Sequence, residues 1–412
     1  MSTKPFRVRR ASRYFNRFLK MTLGRFLVGL YNVTATNIEV VKRLSGPYVL
    51  LPNHYTTWDP FILGYFIPPP VYNVTSDVQF RSTVMRMLLG LVGSIPKSKV
   101  IPDLATVKHI LAVKNRNGVI GIYPEGRRSW DGHTSHILFS TAKLIKLLKI
   151  PVVSPIFKGA YLSLPRWSRR RRRGKIVIDF KRTLTAPEVK ALSVEEIYGR
   201  IVESTAHDEY EFQRRQSIPY RGLRLAEHLE LALFICPECE RIGTMRSTVR
   251  LFYCTSCHYM VRMNDLGFFE QGRGELRFET VRDWNLWQLE WLKGSLSERL
   301  ASGREDALMV DENLLLLSGF RARPLKRLHF GDMSLFHDRI EFKTLIRGTL
   351  VFPIREIEGI NVQIRERLEF YFRNVLYRFH SGRRIVSAYK WMTAIQILQE
   401  LLTGSSSSEA AT

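Results

Sequence analysis

The stretch LLPNHYTTWDPF, Leu50 to Phe61, places a histidine and an aspartate five positions apart, between an apolar run that ends at Pro52 and a second proline, Pro60. On a regular helix, residues five apart point about 140° away from each other, so His54 and Asp59 meet only if the chain bends between them. Asp59 followed by Pro60 reads as a helix start, with Asp as N-cap and Pro at the first helical position. The expectation is a strand through PYVLLP, a loop from Asn53 to Trp58, and a helix from Asp59 into FILGYF. In such a loop His54 folds back onto the carboxylate. One oxygen of Asp59 accepts a helix amide, the other takes the imidazole proton, and the far ring nitrogen is left as an acceptor. An imidazole with a pKa near ~6.5, held this way, is suited to general-base work at neutral pH. A His/Asp pair at this spacing also arises by chance in an ordinary turn, so its meaning depends on what surrounds it.

Outward from this stretch, Tyr48 to Phe180 alternates strands and helices. GVIGIYP, IPVVSPIF and KIVIDF are apolar strands, and Leu104 to Lys114 and Ile137 to Leu148 have helical spacing. That alternation implies an α/β domain with a largely parallel sheet, in which chemistry collects on loops at the carboxyl ends of strands. GIYPEGRRSWDG puts Glu125, Gly126, Arg127, Arg128 and Ser129 directly after such a strand. A tight turn with exposed amides and two guanidiniums suits an anionic, oxygen-rich substrate. Between the two blocks, GSIPKSK carries Lys97 and Lys99 in a Gly/Pro turn.

In this order the four blocks resemble the glycerolipid acyltransferase family, whose best-known members are 1-acylglycerol-3-phosphate acyltransferases. The family's Asn-His-x-Ser-x-x-Asp is matched by Asn53, His54, Thr56 and Asp59, and its Phe-Pro-Glu-Gly-Thr-Arg-Ser by Tyr123 to Ser129. Looser matches are Gly93, Ile95 and Lys99 to the second block, and Ile150, Pro151, Val152 and Pro155 to the fourth. The resemblance covers about residues 30 to 215. It implies a mixed sheet with flanking helices and a catalytic pair, His54 and Asp59. His54 would deprotonate a glycerol hydroxyl that attacks the thioester of acyl-CoA or an acyl carrier protein. Lys99, Glu125, Gly126, Arg127, Arg128 and Ser129 would hold a lysophospholipid acceptor. Arg127 in place of Thr, and Lys99 in place of Arg, leave the acceptor headgroup open.

The 412-residue chain is basic, with 63 Lys and Arg against 38 Asp and Glu, which points to a polyanionic partner. In residues 1–30, Phe15, Phe18, Leu19, Leu23, Phe26, Leu27 and Leu30 fall on one helical face, with Arg13, Arg17 and Lys20 opposite. This is the pattern of a basic amphipathic helix that docks on an anionic membrane surface. RWSRRRRRGK, Arg166 to Lys175, is too dense in charge for a buried element; it reads as a solvated loop or a headgroup-attracting patch. No apolar run is long enough to span a bilayer and no signal-peptide core is visible, so the expected location is cytoplasmic, peripheral on the inner face of the membrane.

All four cysteines lie in CPEC and CTSC, Cys236, Cys239, Cys254 and Cys257. Two such knuckles form a closed, structural Zn2+ site in a zinc ribbon, and the short spacing favours metal over disulfides. Helical patterns at Val202 to Gln216 and Leu223 to Phe234 lead into the ribbon, and Trp284, Trp287 and Trp291 form a helix core stripe. From about Phe320, short strands of period two closed by a helix from Tyr389 to Leu402 resemble a PH-like β-barrel. The implied organisation is a docking helix at 1–30, an acyltransferase domain at 31–215, the zinc ribbon at 216–265, a helical connector at 266–318, the PH-like domain at 319–403 and a disordered tail at 404–412. A competing reading is a basic zinc-ribbon protein that contacts nucleic acid or an anionic membrane without catalysis. Nucleic-acid binding would not require the ordered blocks, which favours the enzyme.

Overall fold

The computed structural model describes residues 8–97, 104–320, 324–344, 346, 348–381 and 386–409; Lys99 lies outside the described residues. Two compact units are present. One comprises 1–166, 170–222 and 265–267, and the other 167–169, 223–264 and 268–412.

The first unit begins with α1 (Arg13–Leu19), a π-helical turn (Lys20–Gly24) and α2 (Arg25–Leu30), then β1 (Val33–Thr36), α3 (Glu39–Lys42), β2 (Val49–Leu50) and α4 (Asp59–Phe66). It continues with β3 (Val71–Ser76), α5 (Thr83–Leu91), β4 (Ile95–Lys97), α6 (Leu104–Lys114), β5 (Val119–Gly121), α7 (Phe139–Leu148), β6 (Val152–Lys158) and α8 (Ala160–Ser163). Last come β7 (Ile176–Leu184), α9 (Ala186–Ala191), α10 (Val194–Thr205) and α11 (Glu209–Gln216). The seven strands form one sheet in the order β1-β7-β6-β2-β5-β3-β4. Every neighbouring pair is parallel except β6 with β7. Strands β2, β5 and most of β6 are buried throughout, as expected for parallel strands covered on both faces. Their core includes Val49, Leu51, Ile120 and Val152, with Ile145 and Leu148 of α7 and Ile197 and Ile201 of α10 packed on it. Because β2 pairs in parallel with β5, Leu50 beside Gly121, their carboxyl ends finish side by side. The loop after β2 and the turn after β5 therefore share one edge.

The helical pattern from Val202 to Gln216 is two helices, because the chain turns at Ala206 to Asp208 and the Asp208 carboxylate accepts the amides of Tyr210 and Glu211, capping α11. The N-terminal apolar face is divided. Phe15, Leu19 and Leu23 are half-buried and Leu27 is buried, whereas Phe18, Phe26 and Leu30 are exposed together with Tyr14 and Met21. The wider π-turn rotates α2 away from the face that a regular helix continuing α1 would present. Lys20, expected to face solvent, instead donates to the carbonyls of Ile67 and Pro68 beyond the end of α4, and burial lowers its pKa. Finally, the Arg166 to Lys175 run is not uniformly solvated: Arg166 and Arg172 are buried while Arg169 and Arg170 are exposed.

The second unit holds a four-stranded antiparallel sheet, β8 (Met245–Ser247), β9 (Leu251–Cys254), β10 (Met260–Met263) and β11 (Phe269–Arg273). The long helix α12 (Val281–Ser302) follows. Its Trp284 is fully buried against the rings of Phe252, Tyr259, Phe269 and Phe278, and Gln288 binds the backbone of Ala232 and Phe234. The segment Leu223 to Phe234, expected to be helical, contains only a 3-10 turn at Leu229–Leu231, entered through His228 at φ 72°. Strands β12 (Met309–Gly319), β13 (Lys326–Leu335), β14 (Arg339–Thr344), β15 (Thr349–Pro353), β16 (Ile357–Gln363), β17 (Arg367–Phe372) and β18 (Val375–Ser381) form a curled antiparallel half-barrel. Their order is β15-β14-β13-β12-β18-β17-β16, so the first strand pairs with the last. Helix α13 (Ala388–Glu409) follows, and its Trp391 Nε1 and Lys390 Nζ both bond the Asp311 carboxylate, at 2.6 and 2.8 Å.

Candidate active site

The loop after β2 is anchored before it reaches the histidine. The buried Asn53 amide donates to the Phe157 carbonyl at 3.0 Å and accepts the Phe157 amide at 2.8 Å, which locks the loop to β6. His54 Nδ1 lies 2.9 Å from Asp59 Oδ2. That same oxygen accepts the backbone N–H groups of Tyr55 at 2.8 Å and Thr56 at 2.9 Å, and Oδ1 takes the Thr56 hydroxyl at 2.5 Å. Asp59 is therefore not the N-cap of α4, as the sequence suggested; it is the first helical residue, and Trp58 stands at the cap. Its carboxylate gathers the preceding loop, whose two amides converge on it, instead of the helix amides. With Nδ1 committed to Asp59, Nε2 is the ring nitrogen left to act on a substrate.

The imidazole packs against the Tyr123 ring, centroids 4.3 Å apart, and 21% of its side-chain surface stays open. Burial lowers the His54 pKa; the bond and charge of Asp59 push it back up, and the positive charges of Arg128 and Arg166 lower it. The ring is thus kept neutral and able to accept a proton. Burial also raises the Tyr123 phenol well above its usual range.

The turn after β5 meets this loop directly. Glu125 Oε1 accepts the His54 backbone N–H at 2.9 Å and Oε2 accepts that of Ser135 at 2.8 Å. Burial pushes the Glu125 carboxyl up to about 8, against these two donors, which lower it. Gly126 adopts φ 66°, a left-handed conformation open to glycine without strain, and so turns the chain immediately after Glu125. Ser129 is a structural knot: its amide donates to the His54 carbonyl, and its hydroxyl accepts the Gly132 amide and donates to Asp131. Arg127 and Arg128 are both half-buried on this turn. His54, Asp59, Glu125 and Arg128 are therefore brought to one place, and Ser129 supports it from behind.

Two further groups were not assigned to this site from sequence. The buried Arg166 guanidinium lies over the Trp130 ring, 4.2 Å from its centroid, and donates to the Arg128 carbonyl at 2.7 Å. The loop between α10 and α11 clasps residues 132–134: Glu209 N–H donates to the Gly132 carbonyl, and Thr134 exchanges hydrogen bonds with His207. The buried His207 and Glu209 side chains meet at 2.6 Å. The only local signal for this clasp was the Asp208 helix cap, which says nothing about a partner some 75 residues earlier.

In the second unit the four cysteine sulfurs all lie within 4.8 Å of one another. Cys236 and Cys257 are 3.6 Å apart, Cys239 and Cys254 3.7 Å. A tetrahedral ion with Zn–S bonds of about 2.3 Å needs sulfurs ~3.8 Å apart, so the donor set and its spacing fit a metal. Burial pushes the Cys236 thiol up; for Cys254 the same effect is outweighed by hydrogen bonds with Thr244, Cys257 and Ser256, which bring it to about 6.

Among the described residues no helix is long and apolar enough to cross a membrane. No curated protein matches the chain significantly. Among solved structures, the 1-acyl-sn-glycerophosphate acyltransferase PlsC from Thermotoga maritima aligns at 13% identity over 50% of this chain and 81% of that one, TM-score 0.42. A chain of the 8S snRNP assembly intermediate aligns at 14% identity over 24% of this chain and 85% of its own, TM-score 0.20. At these scores neither likeness bears on chemistry. The family model described as Acyltransferase matches residues 32–158, the segment that contains the His54 and Glu125 blocks, and over that segment the chain is an acyltransferase-family domain.

Proposed function

We propose that the protein transfers a fatty acyl group from an acyl thioester, carried by CoA or an acyl carrier protein, to the free hydroxyl of a lysophospholipid. The most specific form of this reading is 1-acylglycerol-3-phosphate as acceptor and phosphatidate as product. The observation that carries it is the His54 Nδ1 to Asp59 Oδ2 contact at 2.9 Å, on an imidazole that burial keeps neutral. Nε2 of His54 takes the proton of the acceptor hydroxyl as its oxygen attacks the thioester carbonyl carbon. The tetrahedral intermediate collapses with cleavage of the C–S bond, and the leaving thiolate receives that proton from the imidazolium, giving ester and free thiol. Asp59 fixes the ring orientation and balances the imidazolium charge. Arg128, with Arg166 behind it, gives the site the positive potential that suits a phosphate-bearing acceptor.

The four cysteines would hold a structural Zn2+ in the second unit, with no position left open for catalysis. The half-barrel with its C-terminal helix is read as a PH-like module, and the exposed apolar residues of α1 and α2 with Arg13, Arg17 and Arg25 as a docking face for an anionic membrane. The reading is tested by incubating the purified protein with a panel of lysophospholipids and both donor types. Release of free thiol with stoichiometric ester formation supports it. Absence of transfer to every acceptor, from either donor, removes it.

A further inference from the structure

We propose that α5 is a second membrane-insertion helix, whose partner is the surface of an anionic bilayer. The inference rests on the lipid-acceptor reading only for its purpose, the meeting of the protein with a substrate that resides in a membrane. α5 is nine residues long and capped by Ser82. At 100° per residue, Met87, Leu91, Val84 and Leu88 follow one another around about 100° of its circumference, and Met85 lies beside them. Val84 is 63% exposed and Met87 58%, and Met85 and Leu88 are exposed as well. Four large apolar side chains in the open on so short a helix form a patch that a soluble surface has no use for. Arg86 stands on the other side, exposed, with its Nε held by the Phe80 carbonyl at 3.0 Å.

The charge around this patch selects the partner. Among the described residues no Asp or Glu occurs from 78 to 97, nor from 8 to 38, whereas Arg81, Arg86, Arg9, Arg10, Arg13, Arg17 and Arg25 fall in these segments; Asp77, at the start of the 3-10 turn before α5, is the acidic residue next to them. The segments are joined: the Ser12 amide at the start of α1 donates to the Leu91 carbonyl at the end of α5, at 2.9 Å. Apolar side chains interleaved with arginines, on two connected helices, match a hydrocarbon boundary under anionic headgroups. A protein partner of mixed charge would meet a surface where arginines far outnumber the one neighbouring carboxylate, Asp77.

The test uses the full chain and the double variant Val84→Glu/Met87→Glu in sedimentation with phosphatidylcholine vesicles, with and without phosphatidylglycerol. Both substitutions lie on an exposed face, and an unchanged thermal melt verifies the fold. The wild type is expected to bind the anionic vesicles, and the double variant at least about a hundredfold more weakly, roughly tenfold for each apolar side chain withdrawn from the bilayer. Unchanged binding by the variant, equal binding of the wild type to both vesicle types, or a wild-type dimer in solution that the variant converts to monomer would each overturn the proposal. The assay needs no turnover, so a chain that binds vesicles through α5 yet transfers no acyl group removes the enzymatic reading and leaves this one standing.

Discussion

The Glu125 carboxyl group is tied to the backbone of His54: one of its oxygens accepts the His54 amide at 2.9 Å, while the other accepts that of Ser135. The turn that brings cationic side chains to the site is thereby fixed to the loop that carries the imidazole. Glu125→Ala would strand two amides and is expected to cost about 2–5 kcal/mol of stability, with a loss of acceptor affinity larger than the loss of turnover. Chemical denaturation and the separate KM and kcat values check both parts.

The Glu125 carboxyl also gives stability a pH dependence. Its pKa is raised from 4.5 to about 8 in the folded protein, so the folded state holds a proton that the unfolded chain releases. Stability from this group is therefore complete below pH 4.5 and declines as pH rises toward 8. Glu125→Gln is expected to flatten the decline of the first unit's melting temperature over that window. A slope identical to wild type would contradict the assignment.

Asp59→Asn removes the bond and charge that hold the His54 pKa up. The acid limb of the kcat/KM profile is expected to move to lower pH, since a less basic imidazole stays neutral in more acid solution, while the plateau falls about 10²-fold or more. A shift of that limb to higher pH would show that the carboxylate acts in another way.

Glu209→Ala leaves His207 without its partner behind the Gly132 to Thr134 loop. A lower kcat with an unchanged acid limb is the expected result, because the clasp positions Glu125 and Ser129 and does not touch the imidazole. The pH profile checks this, and Glu209→Asp should recover part of the rate.

Zinc analysis of the purified protein should give about one ion per chain, and Cys236→Ser should lose it. The second unit is then expected to melt early, since a four-stranded sheet of this size depends on its metal. Retention of the ion, or a melt unchanged after chelation, would count against a structural role.

The meeting of His54 with Asp59 was legible because both residues flank a single bend, and the strand context of Glu125 was legible because buried parallel strands are continuous apolar runs. Which amides Asp59 captures was not. A carboxylate at a helix start can hold the helix or the loop before it, and the Asp-Pro signature is the same for both. The clasp by His207 and Glu209 stayed hidden because it is long-range and its residues carry no periodicity. The division of the N-terminal apolar face turns on a π-turn at Lys20–Gly24, which regular 3.6-residue spacing cannot register. Leu223 to Phe234 matched a helical pattern, yet local apolar spacing could not anticipate that Ala226 would bond Val249 and that Gln288 would hold the backbone of Ala232 and Phe234.

The most direct measurement is transfer of a labelled acyl chain from acyl-CoA to 1-acylglycerol-3-phosphate by wild type and His54→Ala side by side, with melting temperature and metal content recorded for each. With His54 as the base, the wild type forms phosphatidate and the variant loses at least about 10²-fold in kcat with its fold and metal intact. Equal turnover by the two proteins would contradict it.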